Sequence, residues 1–479
     1  MKNIISAPKK AVKASIHIPS SKSISNRMLI IRALAPRGGK LQNLSDSDDT
    51  VVLSKALDTE GPVKDVGHAG TSMRFLAAYL STQSGEFILT GSRRMKQRPI
   101  GPLVDALKQL GARVQYQETA GYPPLRIQGG GMHGGSIEIE AGISSQFISA
   151  LMMIGPVLEG GLTIELQGRV VSATYIEMTR SLMNQCGARA SFDGKRITVP
   201  QDSYQVEDYR VESDWSGASY WFQIAALITG SELWLPNLSK NSLQGDAALV
   251  SIFKELGVHT TFKDDGVQLR SEQTELPEQF IYDFTGCPDL VQTLAVSLCA
   301  LGVRFRLTGT STLRVKETDR IAALQAELER VGYRLTADPG GAWLAWDGAR
   351  CEAQSDPLIK TYDDHRMAMA FAPLAISLGE VAIEDPGVVS KSYPGYWKDL
   401  EKVSAPVLSV AAGNDKNDPP EGCRTLLNAF GSRDKRFVIL SRKEGFSRDY
   451  DHIGMIVSKE AAREVWPLLT TWMDERRQP

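Results

Sequence analysis

The sequence lacks any apolar run approaching the roughly 18 residues that would span a bilayer. Its longest candidates, 218–228 and 371–378, read as buried core segments. Cysteine is scarce: Cys186, Cys287, Cys299, Cys351 and Cys423 are scattered, odd in number and form no C-x-x-C pair. That argues against a disulfide framework and a zinc site, and it predicts a reducing, cytoplasmic setting. No carboxylate or histidine cluster has metal-ligand spacing, so no metal is expected. Formal net charge is only −2, which argues against a nucleic-acid binder but leaves room for a local basic pocket. Acidic residues are missing before Asp46, while Lys2, Lys9, Lys10 and Lys13 are present. A targeting peptide can look like that. Here residues 14–19 alternate like a strand and the first motif follows at once, so the segment reads as structure.

What is present fits a soluble globular protein of 479 residues, 42% hydrophobic and 23% charged. That length predicts two or three domains. One pattern recurs: a helical run ends in glycine and a short strand-like segment follows. The glycines are Gly111, Gly187, Gly257 and Gly332. Glycine just past a helix supplies a left-handed cap after which a strand can begin, so the chain reads as repeated α/β units. A stretch rich in Gly, Asn, Asp and Pro at 411–422 reads as a linker, and the residues beyond it do not repeat the unit.

Several motifs carry charge to predicted turns and helix starts. In PSSKSISNR (Pro19–Arg27), serines precede an apolar run and predict a helix N-terminus. Free N–H groups there attract an anion, and Lys22 and Arg27 add full charges. A capped surface helix would look the same. Gly70 and Thr71, in AGTSMR, predict a turn that admits a ligand close to the backbone. Arg98, fixed by Pro99, is the member of the basic run 93–98 expected to point inward. Ser144, Ser145 and Gln146 offer short polar groups that suit phosphate oxygens. The most informative run is RVKETDR (Arg314–Arg320). Lys316 and Arg320 are four apart, which places them on one face at a helix start. Cations there oppose the dipole, which points to a bound anion. Glu317 between them is expected to stay ionised and able to exchange protons. Asp364, His365 and Arg366 precede another apolar helix, and Lys391 follows. Lys22, Arg27, Arg98, Lys316, Arg320, Arg366 and Lys391 together supply seven positive charges, enough for two multiply charged anions in one cleft.

With these residues laid out, residues 10–400 resemble the 5-enolpyruvylshikimate-3-phosphate synthase family. The resemblance is carried by PSSKSISNR, SDDT (Ser47–Thr50), AGTSMR, MKQRPIG (Met95–Gly101), SSQF (Ser144–Phe147), VVSATY (Val170–Tyr175), LQGD (Leu243–Asp246), RVKETDR and DDHRMAM (Asp363–Met369), in the family's order. It implies an α/β fold of two domains built from βαβαββ units around a central cleft. The implied boundaries are 1–18 with 211–404 for the second domain and 19–210 for the first. It also implies transfer of the enolpyruvyl group of phosphoenolpyruvate to the 5-hydroxyl of shikimate 3-phosphate, in a monomer without metal or organic cofactor. For shikimate 3-phosphate it implies Lys22, Ser23, Arg27, Ser144, Ser145, Gln146, Ser172, Tyr175, Asp289 and Lys316. For phosphoenolpyruvate it implies Lys22, Gly70, Arg98, Gln146, Glu317, Arg320, His365, Arg366 and Lys391. The catalytic group is implied to be Asp289, Glu317 and Lys22.

The chain departs from the family in places. His68 and Phe75 stand where the family usually has Asn and Pro, beside the implied phosphoenolpyruvate pocket, and imply altered sensitivity to the family inhibitor glyphosate. The segment between Asp49 and Gly67 is short, which implies a trimmed repeat unit. Residues 405–479 fall outside the family and resemble the end of an α/β-hydrolase, with Asp415 as the acid and His452 as the histidine. No G-x-S-x-G nucleophile elbow occurs anywhere, so the tail reads as inert. The sister enolpyruvyl transferases acting on UDP-N-acetylglucosamine carry a reactive cysteine in the loop corresponding to 85–98, and this chain has none there. A non-catalytic binder of phosphorylated metabolites would be expected to lose Asp289 or Glu317, and both are present.

Overall fold

A computed structural model describes residues 2–6, 11–142, 144–168, 170, 173–403, 407–414, 419–421, 423–424, 435–451 and 454–474. Four of its sheets share one plan. Two parallel strands are joined through a helix, a second helix follows, and an antiparallel pair completes the sheet. Parallel neighbours require such a crossover. The first sheet holds Val63–Asp65, Gly85–Thr90, Arg113–Tyr116 and Leu125–Gly129, with helices Gly70–Thr82 and Gly101–Gln109. The second runs from Gly135–Glu140 through helix Ser145–Ile154, Leu162–Gln167 and helix Ala173–Gln185 to Ser191–Phe192 and Arg196–Val199. The third runs from Gln279–Asp283 through helix Val291–Leu301, Arg304–Thr308 and helix Arg320–Arg330 to Thr336–Ala337 and Trp343–Trp346.

The fourth sheet takes its opening strand from far away. Lys13–Ser15 lies parallel to Glu232–Pro236, which pairs with Gly266–Ser271 and through it with Val258–Lys263. The helices of this unit are Trp215–Leu227 and Leu249–Lys254. In all four units the glycine before the antiparallel pair has positive φ: 86° at Gly111, 89° at Gly187, 82° at Gly257 and 93° at Gly332. A residue with a Cβ is disfavoured there, which is why the repeat shows in the sequence as a glycine.

Two further units are incomplete. Helices Lys22–Leu34 and Asp48–Asp58 accompany only a two-residue parallel pair, Leu41–Gln42 beside Tyr209–Arg210. The helix ending at Asp58 leads straight to Val63–Asp65, so the short segment omits the antiparallel pair. In the last unit, helix His365–Phe371 joins the parallel strands Leu358–Ile359 and Glu380–Glu384. Lys2–Ser6 completes it, antiparallel to Glu380–Glu384.

Buried apolar residues form two large cores. One runs from Ile24 to Val211. The other joins Ile5–Ile18 to residues between Trp215 and Val403. The chain therefore passes between cores after Ile18 and again after Val211. The tail has a third, small core of Ala412, Leu440, Tyr450, Ala461 and Val465. Strand Val407–Ala412 lies parallel to Lys435–Leu440, and helix Lys459–Asp474 follows. Asp415 and His452 lie outside the described residues. No helix among the described residues is long and apolar enough to cross a membrane.

Candidate active site

A cavity of about 560 Å³ lies between the two cores. Helices from both cores begin at its wall, six of them in addition to the helix Arg320–Arg330. The residues that open them, Lys22, Gly70, Ser145, Ser216, Asp289 and His365, all line it or stand at its edge in the first turn or just before it. These helices are buried over most of their length; Ile24–Ile31, Phe147–Ile154 and Val291–Cys299 are continuous buried runs. Their apolar bodies are fixed by the cores, so their first turns, with unpaired N–H groups and positive dipole ends, are turned on one space. Ser21 and Ser144 cap two of them, accepting from the Ile24 and Gln146 amides.

At the centre is Arg320, 1% exposed. Its Nε donates to Asp364 at 2.7 Å, Nη1 to Asp289 at 2.9 Å and Nη2 to Glu317 at 3.0 Å, with a longer bond from Nη2 to the second Asp364 oxygen at 3.4 Å. Asp289 also meets Arg366 at 3.1 Å and Lys316 at 3.6 Å, and accepts from the Tyr175 hydroxyl at 3.0 Å. Glu317 meets Lys391 at 2.8 Å. Burial alone would raise the pKa of Asp289, but Arg366, Lys316 and Arg320 outweigh it and hold the carboxyl well below its ordinary range. Glu317 is likewise held well below, against burial, chiefly by Lys391 and Arg320. Arg366 and Arg320 are raised in return, their burial being outweighed chiefly by Asp289 and Asp364 respectively. His365, buried and facing Arg366 and Lys22, is pushed well below the usual histidine value and is neutral.

Tyr175 belongs to one core and Asp289 to the other. Other bonds also cross the cavity: Thr174 to the Gly286 carbonyl at 2.6 Å, Ser390 to Asp48 at 2.6 Å, and Arg94 to the Glu317 carbonyl at 3.5 Å. On the first-core side Arg27 gives three of its five N–H groups to protein acceptors and keeps two. Its nitrogens donate to Thr179, the Ser23 carbonyl and Ser149, its guanidinium lies 5.5 Å from the Phe75 ring, and burial lowers it to about 10. Arg74 bonds the Gly70 and Pro99 carbonyls, tying the glycine turn to the residue after Arg98. Burial and then Arg98 lower it to about 9.

Asp246 behaves in the opposite way to Asp289. It is buried, accepts from Ser216, and faces Asp289 and Asp214 with Arg366 as its main counter-charge. Burial, then Asp289, raises it to about 7. The folded protein therefore keeps a proton between about pH 4 and 7 that the unfolded chain releases, and stability falls as pH rises through that window. Asp246→Asn is expected to raise thermal stability at pH 8, by up to about 4 kcal/mol, and to give no gain at pH 4. Equal effects at both pH values, read by calorimetry, would contradict this.

The structure brings together most of the residues singled out in the sequence. Lys22, Ser23, Arg27, Gly70, Arg98, Ser144, Ser145, Gln146, Tyr175, Asp289, Lys316, Glu317, Arg320, His365 and Arg366 line the cavity, and Lys391 reaches it through Glu317. Ser172 lies outside the described residues. One reading needs correction. Lys316 and Arg320 do not share a helix face: the helix begins at Arg320, capped by Asp319, and Lys316 precedes it in a turn. They converge because both reach Asp289. The cost of a cation at that helix start is offset by three protein carboxylates. His68 and Phe75, read as standing beside the phosphoenolpyruvate pocket, are not themselves among the lining residues. His68 is exposed and bonded to Ser92 at 3.0 Å, and Phe75 is buried beneath Arg27. Arg74, Arg94, Asp214 and Ser216 line the cavity without having been assigned a part. Arg74 and Arg94 sat inside quoted runs, but Asp214 and Ser216 open an apolar helix with nothing to mark them as polar lining.

A family model described as EPSP synthase (3-phosphoshikimate 1-carboxyvinyltransferase) matches residues 6–62 and 51–400. The chain belongs to the EPSP synthase family. A 3-phosphoshikimate 1-carboxyvinyltransferase of Bacteroides fragilis (strain YCH46) is 49% identical over 403 residues, covering 84% of this chain and 98% of the relative. One from Vibrio cholerae serotype O1 (strain M66-2) is 36% identical over 433 residues, covering 84% and 100%. An EPSP synthase structure from Acinetobacter baumannii superimposes with a TM-score of 0.68 at 21% identity, covering 84% of this chain and 98% of that one. The architecture is therefore the two-domain enolpyruvyl transferase fold of EPSP synthases. The family match ends at residue 400, before the tail begins.

Proposed function

We propose that the cleft transfers the enolpyruvyl group of phosphoenolpyruvate to the 5-hydroxyl of shikimate 3-phosphate and releases phosphate. The observation that carries this reading is the meeting of Asp289 and Glu317 on one guanidinium, Arg320, inside a cation-lined cavity. Shikimate 3-phosphate lies towards the first core. Ser144, Ser145 and Ser172 with Lys316 take its phosphate, Ser23 and Arg27 its carboxylate, and Gln146 and Tyr175 its ring. Phosphoenolpyruvate lies between Lys22, Gly70, Arg98 and Gln146 on one side and Arg320, His365, Arg366 and Lys391 on the other. Arg320 has five N–H donors, four of them engaged with carboxylates, so one remains for the substrate.

In the first step the 5-hydroxyl oxygen attacks C2, Asp289 takes the hydroxyl proton, and C3 gains a proton from Glu317 or Lys22. In the second step C3 returns a proton to the group that supplied it, the C2–O bond to phosphate breaks, and the proton held by Asp289 leaves with the phosphate. Atoms balance without a metal or an organic cofactor. The reading includes a monomeric, cytoplasmic enzyme. Its domains are 19–210 and the discontinuous 1–18 with 211–404, and residues 405–479 form an extension that takes no part in the reaction. Incubation with both substrates should release inorganic phosphate at the same rate from the whole chain and from one ending at residue 404. No phosphate from either sinks the reading.

Gly70 gives a narrower test. A Cβ there would run into the Arg98 guanidinium. The guanidinium is the far end of a flexible side chain, so the fold tolerates the change while Arg98 moves. A displacement of about 1 Å at a binding group can cost roughly 10²-fold. Gly70→Ala is expected to raise KM for phosphoenolpyruvate about 10–100-fold and to leave KM for shikimate 3-phosphate within about twofold. Steady-state kinetics with each substrate varied in turn checks it.

A further inference from the structure

Glu327 is a fully buried carboxylate that does not line the cavity and has no part in the reaction described above. It stands seven residues after Arg320 in the helix Arg320–Arg330, two turns on and on the same face. Its three partners are all donors. The Tyr362 hydroxyl lies at 2.5 Å, the Lys360 amide at 3.0 Å, and Arg330 Nε at 3.1–3.2 Å. The helix is thus joined twice to one loop: Arg320 holds Asp364 at the cavity, and Glu327 holds Lys360 and Tyr362 behind it. Between these two ties, Tyr362 and Asp363 both adopt left-handed backbone, with φ of 54° and 57°. Two consecutive side-chain-bearing residues in that region are costly and persist only where the surroundings over-determine them. Immediately beyond the strained pair, Asp364 accepts from the Arg366 amide at 2.9 Å and opens the helix that presents His365 and Arg366.

We propose that Glu327 is a positioning residue for the phosphoenolpyruvate half of the site. By fixing the left-handed turn at Tyr362–Asp363 it sets the direction in which Asp364, His365 and Arg366 enter the cavity. This rests on the assignment of His365 and Arg366 to phosphoenolpyruvate. Among the shikimate 3-phosphate groups, Asp289 is ion-paired to a residue that the loop positions, Arg366, and it is also held by Lys316 and Arg320, so the larger effect falls on phosphoenolpyruvate.

Glu327→Gln keeps the shape but turns an amide N–H towards a ring of donors, and Tyr362→Phe removes only the hydroxyl. Phosphate release is measured for the full chain and both variants, each substrate varied in turn. Both variants are expected to raise KM for phosphoenolpyruvate about tenfold or more, to leave KM for shikimate 3-phosphate within twofold, and in combination to do no more than Glu327→Gln alone. A purely structural brace would lower kcat with the folded fraction and leave both KM values in place; that result overturns the proposal, as does an equal rise in both. If Glu327→Gln does not fold, Tyr362→Phe alone decides by the same criteria. If the unaltered chain releases no phosphate, the assignment of the reaction fails first and this proposal with it.

Discussion

Glu317→Gln is expected to lower kcat by about 10²–10⁴-fold, the usual contribution of one positioned acid–base group. Gln keeps the volume of Glu and an oxygen that can accept from Arg320 or Lys391, which meet the carboxylate at 3.0 and 2.8 Å. It cannot move a proton at C3. The argument for a large effect lies in the state of the carboxylate at rest. Cations hold Glu317 and Asp289 well below the ordinary carboxylate range, where each is a poor base. On the proposed reading two incoming anions engage those same cations, Lys391, Arg366 and Lys316 among them, and weaken their hold. Removing the pull of a cation raises a carboxyl pKa, so each carboxylate becomes a competent proton carrier only when both substrates are present. Glu317→Gln should therefore bind shikimate 3-phosphate with near-normal affinity by calorimetry and turn over hardly at all. Asp289→Ala should match it in kcat. Near-normal turnover in either folded variant would remove that residue from the mechanism.

Much of this site was legible in the chain because its parts are local. A glycine beyond a helix marks a unit, and Gly111, Gly187, Gly257 and Gly332 each sit where the left-handed cap occurs. Serines and basic residues before an apolar run mark a helix start, and Lys22 and Ser144 stand at two such starts. What was not legible depends on pairing between distant segments. Nothing in RVKETDR says that the Arg320 charge is met by Asp364, 44 residues away, and by Asp289, 31 residues before it. Read alone, a cation at a helix start calls for a ligand anion, yet three carboxylates of the protein fill that need. The same limit hid Asp214 and Ser216. The incomplete first unit was visible only as a shortened segment, and which strands it omits appeared with the sheet pairings.

The carboxylates around Arg320 give the largest expected effect on the fold. Arg320→Met keeps much of the length and apolar bulk of the side chain and deletes the charge. Asp364, wholly buried, would lose its Nε bond at 2.7 Å and keep only the Arg366 amide and a distant neutral His365. Asp289 and Glu317 would each lose one cation but retain Arg366 with Lys316, and Lys391, respectively. Breaking a buried pair by removing one partner costs about 3–5 kcal/mol, because the abandoned charge stays desolvated. Most of that cost falls on Asp364. Protonation relieves a buried carboxylate that has lost its cation, so the variant should lose stability as pH rises and recover part of it in acid. Removing Asp364 as well, in Arg320→Met with Asp364→Asn, should restore much of the stability and none of the turnover, since Arg320 also anchors Asp289 and Glu317, the two carboxylates proposed to transfer protons. Denaturant unfolding of both variants at pH 5.5 and 8, beside phosphate-release rates, separates the two roles. If Arg320→Met unfolds at the same denaturant concentration as the unaltered chain at pH 8, the guanidinium is not what neutralises the buried cluster, and the electrostatic account of the cleft fails with it.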